Sequence, residues 1–85
     1  MESAEETSGT VQGRLNVLKK SLVSEENSVQ YYKTLIDKTP LDTDENVGAA
    51  RMYGDLREEE KKHVETLSAL IDYWERRARE LQDSD

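Results

Sequence analysis

Thr39-Pro40-Leu41-Asp42-Thr43-Asp44-Glu45, written TPLDTDE, decides how this chain is organised. Proline disfavours helical geometry in the residue before it, so a helix arriving from the N-terminal side ends near Lys38. Two residues on, Asp42 to Glu45 has the form of a capping box, with Asp42 as N-cap acceptor, Glu45 three positions later and acidic side chains beside the positive end of a helix dipole. A stop and a start separated by a turn at 39–42 predict two helices joined too closely to be anything but antiparallel neighbours.

Apolar residues on both sides of the turn keep helical spacing. Upstream they fall at Val11, Leu15, Leu18, Leu22, Val29, Tyr32 and Ile36. Downstream they fall at Ala49, Tyr53, Leu56, Leu67, Leu70 with Ile71, Trp74, Ala78 and Leu81. Steps of three and four place each set on one helical stripe. The expected elements are helix one over about 10–38 and helix two over about 43–82, with Gly48 and Gly54 each weakening the second by about 1 kcal/mol relative to alanine. Residues 1–9 are acidic and aperiodic, and Ser8-Gly9 is expected to break any helix there, so they read as a flexible tail. At about 1.5 Å per residue the helices would be roughly 40 and 60 Å long. The end of helix two, from about Arg76 to Asp85, is therefore expected to overhang its partner.

Composition sets the limits. In 85 residues only 34% are apolar and 36% are charged, so a single chain has little core to stabilise it and self-association is expected. The absence of cysteine excludes a disulfide framework and zinc ribbons. MESAEETSGT lacks the basic and apolar regions of a signal peptide, which predicts a cytoplasmic protein. No run approaches the roughly 18 to 20 apolar residues that span a bilayer. A net charge of −7 repels phosphate backbones and anionic lipid, which argues against nucleic-acid and membrane partners.

Three polar residues interrupt the stripes. Unbroken, the first reads Leu15, Leu18, Leu22, Glu25, Val29, Tyr32, Ile36, and the second reads Ala49, Tyr53, Leu56, Glu60, His63, Leu67, Leu70, Trp74. In a hairpin turning near residues 41 and 42, positions whose numbers sum to roughly 83 to 86 lie side by side. Glu25 therefore meets Glu60 and Leu22 meets His63, while Leu18 pairs with Leu67, Leu15 with Leu70 and Ile36 with Ala49. His63 is expected to point inward with Glu60, while the rest of REEEKK faces water. Two carboxylates and an imidazole among leucines are costly unless paired, protonated or bound to a cation. Carboxylate oxygens with one imidazole nitrogen suit iron or manganese, and Glu-x-x-His places both groups on one helical face. One hairpin supplies half of a dinuclear site. Two hairpins about a two-fold axis would bury both stripes in a four-helix bundle and double the ligands to four Glu and two His.

On these residues the chain resembles the ferritin-like superfamily, and in length the two-helix encapsulated ferritins. Glu25 followed seven positions on by Tyr32, in EENSVQYY, looks like the first-helix motif, and Glu60-Lys61-Lys62-His63 looks like the second. The resemblance covers about residues 15–74. It implies an all-α fold in which the antiparallel hairpin dimerises into a ferritin-like four-helix bundle. It also implies a ferroxidase that oxidises Fe(II) at a di-iron site, two irons per dimer, shared across the interface and serving iron storage or detoxification. Glu25, Glu60 and His63 would be metal ligands and catalytic groups, with Tyr32 just behind them. Implied partners are a second copy at minimum, a ring-like higher oligomer and an encapsulin nanocompartment shell. The final ELQDSD departs from the apolar targeting tail that encapsulation implies.

Two other readings fit the same residues. The first is a metal-free acidic dimerisation module in which the buried trio sets register, as polar seam residues do in coiled coils. The second is a structural site holding manganese, zinc or calcium. Tyr31, Tyr53 and Trp74 are expected to serve packing.

Overall fold

A computed structural model describes residues 6–84. It contains two helices, α1 over Ser8–Lys38 and α2 over Asp44–Ser84, and no strand among the described residues. Glu25 of α1 reaches His63 of α2 and Glu6 reaches Arg77, so the helices run antiparallel as the turn requires.

The caps show why the helices begin where they do. Thr7 caps α1: its hydroxyl accepts from the Thr10 N–H at 3.1 Å, while the Thr7 N–H donates to the Thr10 hydroxyl at 2.9 Å. This reciprocal box satisfies N–H groups that a helix start leaves orphaned. Ser8 and Gly9, expected to lie in a flexible tail, instead form the first turn of α1. In a first turn glycine sits where the backbone has little helical bonding to lose. The remainder of that tail, residues 1–5, lies outside the described residues.

The cap of α2 is displaced by one residue from expectation. Thr43, not Asp42, is the acceptor, taking the Asn46 N–H at 3.1 Å. Asp42 instead accepts from the Asn46 side chain at 2.8 Å. Two adjacent residues could each have capped, and they divide Asn46 between them: its backbone N–H goes to Thr43 and its side-chain amide to Asp42. α1 ends as proline demands: Thr39, just before Pro40, is extended, and its N–H and hydroxyl donate to the Ile36 and Leu35 carbonyls at 3.1 and 2.6 Å.

Packing is uneven along the hairpin. The buried core is Val11, Leu15 and Ile71, with Leu18, Leu22, Trp74, Ala78 and Leu81 packed against it. Leu15 therefore packs on Ile71 and not on Leu70, which is 41% exposed. The number-sum register places residues to within one position, and adjacent residues differ by 100° around a helix, enough to exchange an inward for an outward side chain. The expected overhang is shortened but not removed, since α2 has 41 residues against 31 in α1. Ala78 and Leu81 lie against α1's first turns, and Arg77 bonds Glu6 at 2.8 Å, because α1 starts earlier than its stripe suggested.

The molecule measures 63 × 26 × 14 Å. Its smallest dimension is close to the roughly 10–12 Å diameter of one helix, so the hairpin is a single layer whose seam is open on both sides. Its accessible surface of 6376 Å² exceeds the roughly 5,200 Å² typical of a folded monomer of this mass. Neither helix is long and apolar enough to cross a membrane.

Candidate metal centre

Glu25 comes from the middle of α1 and Glu60 and His63 from the middle of α2, one turn apart on one side of that helix. All three offer a ligand atom within 4.8 Å of the other two, and among the described residues no other group of three His, Asp or Glu side chains is so placed. His63 Nδ1 lies 3.4 Å from Glu60 Oε1 and 3.7 Å from Glu25 Oε2. Two ligands across an ion at about 2.1 Å each stand about 4.2 Å apart, so these separations are within the span of one coordination sphere.

The two carboxylates are half-buried, at 28% and 22% side-chain exposure, whereas His63 is 54% exposed. His63 is thus brought to the carboxylates as expected but stands on the rim of the seam, not inside it. A two-helix layer covers only the central strip of each helix, held here by Glu60 and Leu67. Of the rest of REEEKK, the neighbouring glutamates face out as expected, Glu59 being 62% exposed and paired with Lys62 at 3.7 Å, whereas Arg57 is half-buried with its Nε shielded from solvent.

Electrostatics mark the trio as unsettled without a cation. Glu60 is held above the ordinary carboxylate range, chiefly by a hydrogen bond shared with Glu25, and further by partial burial and by the repulsion of the Glu25 charge; His63 opposes the shift. Glu25 Oε2 is shielded from solvent, and no backbone N–H, amide, hydroxyl or cationic side chain among the described residues donates a hydrogen bond to it. A buried carboxylate oxygen calls for a proton or a cation. A shared carboxyl proton would supply the first and a metal ion the second, so the donor set of two carboxylates and an imidazole fits a hard or borderline metal.

Tyr32 is not drawn into this group. Its ring lies against Tyr31, with centroids 5.7 Å apart and planes tilted by 59°, and its hydroxyl makes no hydrogen bond to the trio. Residues passed over in the sequence do frame it. Ser21 and Thr66 line a cleft of about 340 Å³ together with Glu25, His63 and the stripe residue Leu67. The signal was available: Ser21 is four residues before Glu25 and Thr66 three after His63, each one turn along the same face.

The two open sides of the seam differ in character. Continuing by threes and fours from Ser21, His63 and Thr66 leads to Val17, Tyr31, Met52, Leu56, Leu70 and Tyr73, which are six of the eight exposed large apolar residues among the described residues. The opposite side has Val29 and Val64 at the seam, and beyond them its edge runs through Glu26, Lys61 and Glu65 to Lys19, Lys33, Glu58 and Asp72. The exposed edge of the trio therefore opens onto the apolar side. No protein-family model matches this chain, and neither the curated proteins nor the solved structures contain a match to it.

Proposed function

We propose that this chain is a ferroxidase-type iron-binding protein whose di-iron carboxylate centre is shared across a homodimer interface. The observation that carries the reading is the convergence of Glu25, Glu60 and His63 from two helices, within 4.8 Å of one another and open on one side. Three ligands leave several positions of an iron ion unfilled, and a second trio facing the first would fill some of them while leaving room for oxidant. Iron there is the substrate, each Fe(II) giving up one electron with dioxygen from solution as acceptor. The protein's part is to hold the three ligands at fixed spacing and to keep the carboxylates deprotonated once the ion arrives.

The apolar side supports the shared site. Exposed Met52, Leu56, Leu70 and Tyr73 flank the trio on α2, and Val17 and Tyr31 flank it on α1. Contiguous apolar surface on a small acidic protein marks an interaction site. Two copies joined on it would cover the apolar residues, enclose both His63 rings and bring the carboxylates of both seams together in one bundle.

The metal-free register module is favoured by one specific observation, that His63 stands within ion-pairing distance of Glu60 and Glu25 with no metal required. Replacing Glu25, Glu60 and His63 together by leucine separates the two. The ferroxidase reading predicts that Fe(II) oxidation, followed by ultraviolet absorbance of ferric species, falls to the protein-free rate in this variant. Oxidation persisting above that rate would refute it. A variant that is more stable as a dimer, alongside a wild type that never oxidised Fe(II), would establish the module.

A further inference from the structure

The cleft beside the trio contains two hydroxyls that the fold leaves unused. Helical serines and threonines commonly bond back to the carbonyl four residues earlier. Thr34 and Thr39 do so here, donating to the Gln30 and Leu35 carbonyls at 3.1 and 2.6 Å. Ser21 and Thr66, like Ser24, Ser28 and Ser68, make no such bond and no other hydrogen bond among the described residues, and they are set apart by lining the cleft with Glu25 and His63. They come from different helices, Ser21 from α1 and Thr66 from α2. Leu67 forms the apolar wall.

We infer that Ser21 and Thr66 are positioning residues, anchoring through their hydroxyls the water molecules that complete the coordination of a metal ion bound by Glu25, Glu60 and His63. This rests on the reading of the trio as a metal site. Three protein ligands leave up to three positions of an octahedral ion to water, and a cleft of about 340 Å³ has room for several molecules. A metal-bound water is a strengthened donor and needs acceptors; a serine or threonine hydroxyl offers two lone pairs and one adjustable proton. Such outer partners orient what the ligands hold, and their loss commonly weakens metal binding by about 10- to 100-fold. Glu25, whose Oε2 is shielded from solvent, lines the same cleft.

The test uses Mn(II), which prefers oxygen ligands and retains water. Affinity is measured by calorimetry, and bound water by the relaxation of solvent protons around the protein-bound ion. For the double variant Ser21→Ala/Thr66→Val the expected result is at least a ten-fold loss of Mn(II) affinity and a changed relaxation per bound ion. The hydroxyl-conserving Ser21→Thr/Thr66→Ser protein should retain both wild-type values, which a purely steric or folding effect would not produce. Wild-type affinity and relaxation in Ser21→Ala/Thr66→Val, with binding still abolished by Glu25→Gln/Glu60→Gln, would overturn the inference and leave the metal site standing. A wild-type protein that takes up no Mn(II) would overturn both.

Discussion

The decisive residue is Glu60, whose carboxyl is held above the ordinary range mainly by its shared hydrogen bond with Glu25. A carboxyl with a raised folded-state pKa binds more protons in the native than in the unfolded chain over the interval between the two values, so stability falls as pH rises through that interval. Glu60→Gln removes the dependence. The metal-free variant should therefore gain stability relative to wild type as pH rises from about 4.5, the unperturbed value, read as a widening difference in Tm. Identical pH profiles would show that the two carboxylates do not share a proton. Saturating Mn(II) should reverse the order, raising the Tm of wild type and leaving that of Glu60→Gln unchanged, because an ion that binds only the folded site stabilises in proportion to its occupancy. At this scale the sequence was informative. Glu25 and Glu60 were recognisable because each occupies a leucine's place in a periodic stripe and because their numbers sum to the hairpin register. His63's place on the rim was not, since a stripe position 45° or so off centre is inside a thick bundle and at the edge of a single layer.

At the scale of the element, capping and core packing can be separated by mutation. Thr43→Ala removes the acceptor for the Asn46 N–H and should cost about 1 kcal/mol, whereas Asp42→Ala should cost clearly less, as measured by urea denaturation. Equal losses would restore Asp42 as the cap. Leu15→Ala, at a position 2% exposed, should cost about 2–4 kcal/mol, and Leu70→Ala, 41% exposed, well under half of that under conditions where the chain is monomeric. Both helices, their antiparallel sense and the turn could be read from TPLDTDE and the flanking periodicity. The start of α1 could not, because Ser8-Gly9 looks like a breaker until the Thr7–Thr10 reciprocal bonds are seen to satisfy the first turn. Nor could the choice of Ile71 over Leu70, since adjacent apolar residues give the stripe no preference.

On the scale of the whole molecule, a layer 14 Å thick carries most of its exposed large apolar residues on one side, and the candidate metal centre opens onto that side. Placing charge on that side at a distance from the trio should prevent association without disturbing the hairpin. Leu70→Glu is expected to sediment as a monomer with undiminished helicity by circular dichroism, while Val23→Glu, outside the apolar side, should behave as wild type. Dimers persisting in Leu70→Glu would place the interface elsewhere. The self-association that the composition predicts and the open rim of the trio thus converge on one surface, and the decisive quantity is how many irons one assembly holds. An anaerobic Fe(II) titration monitored together with native mass, for wild type and His63→Ala, measures it. A shared di-iron centre should saturate at two irons per dimer and oxidise rapidly on admitting air, and His63→Ala should lose both properties. Absence of iron binding, or binding that His63→Ala leaves intact, would contradict it.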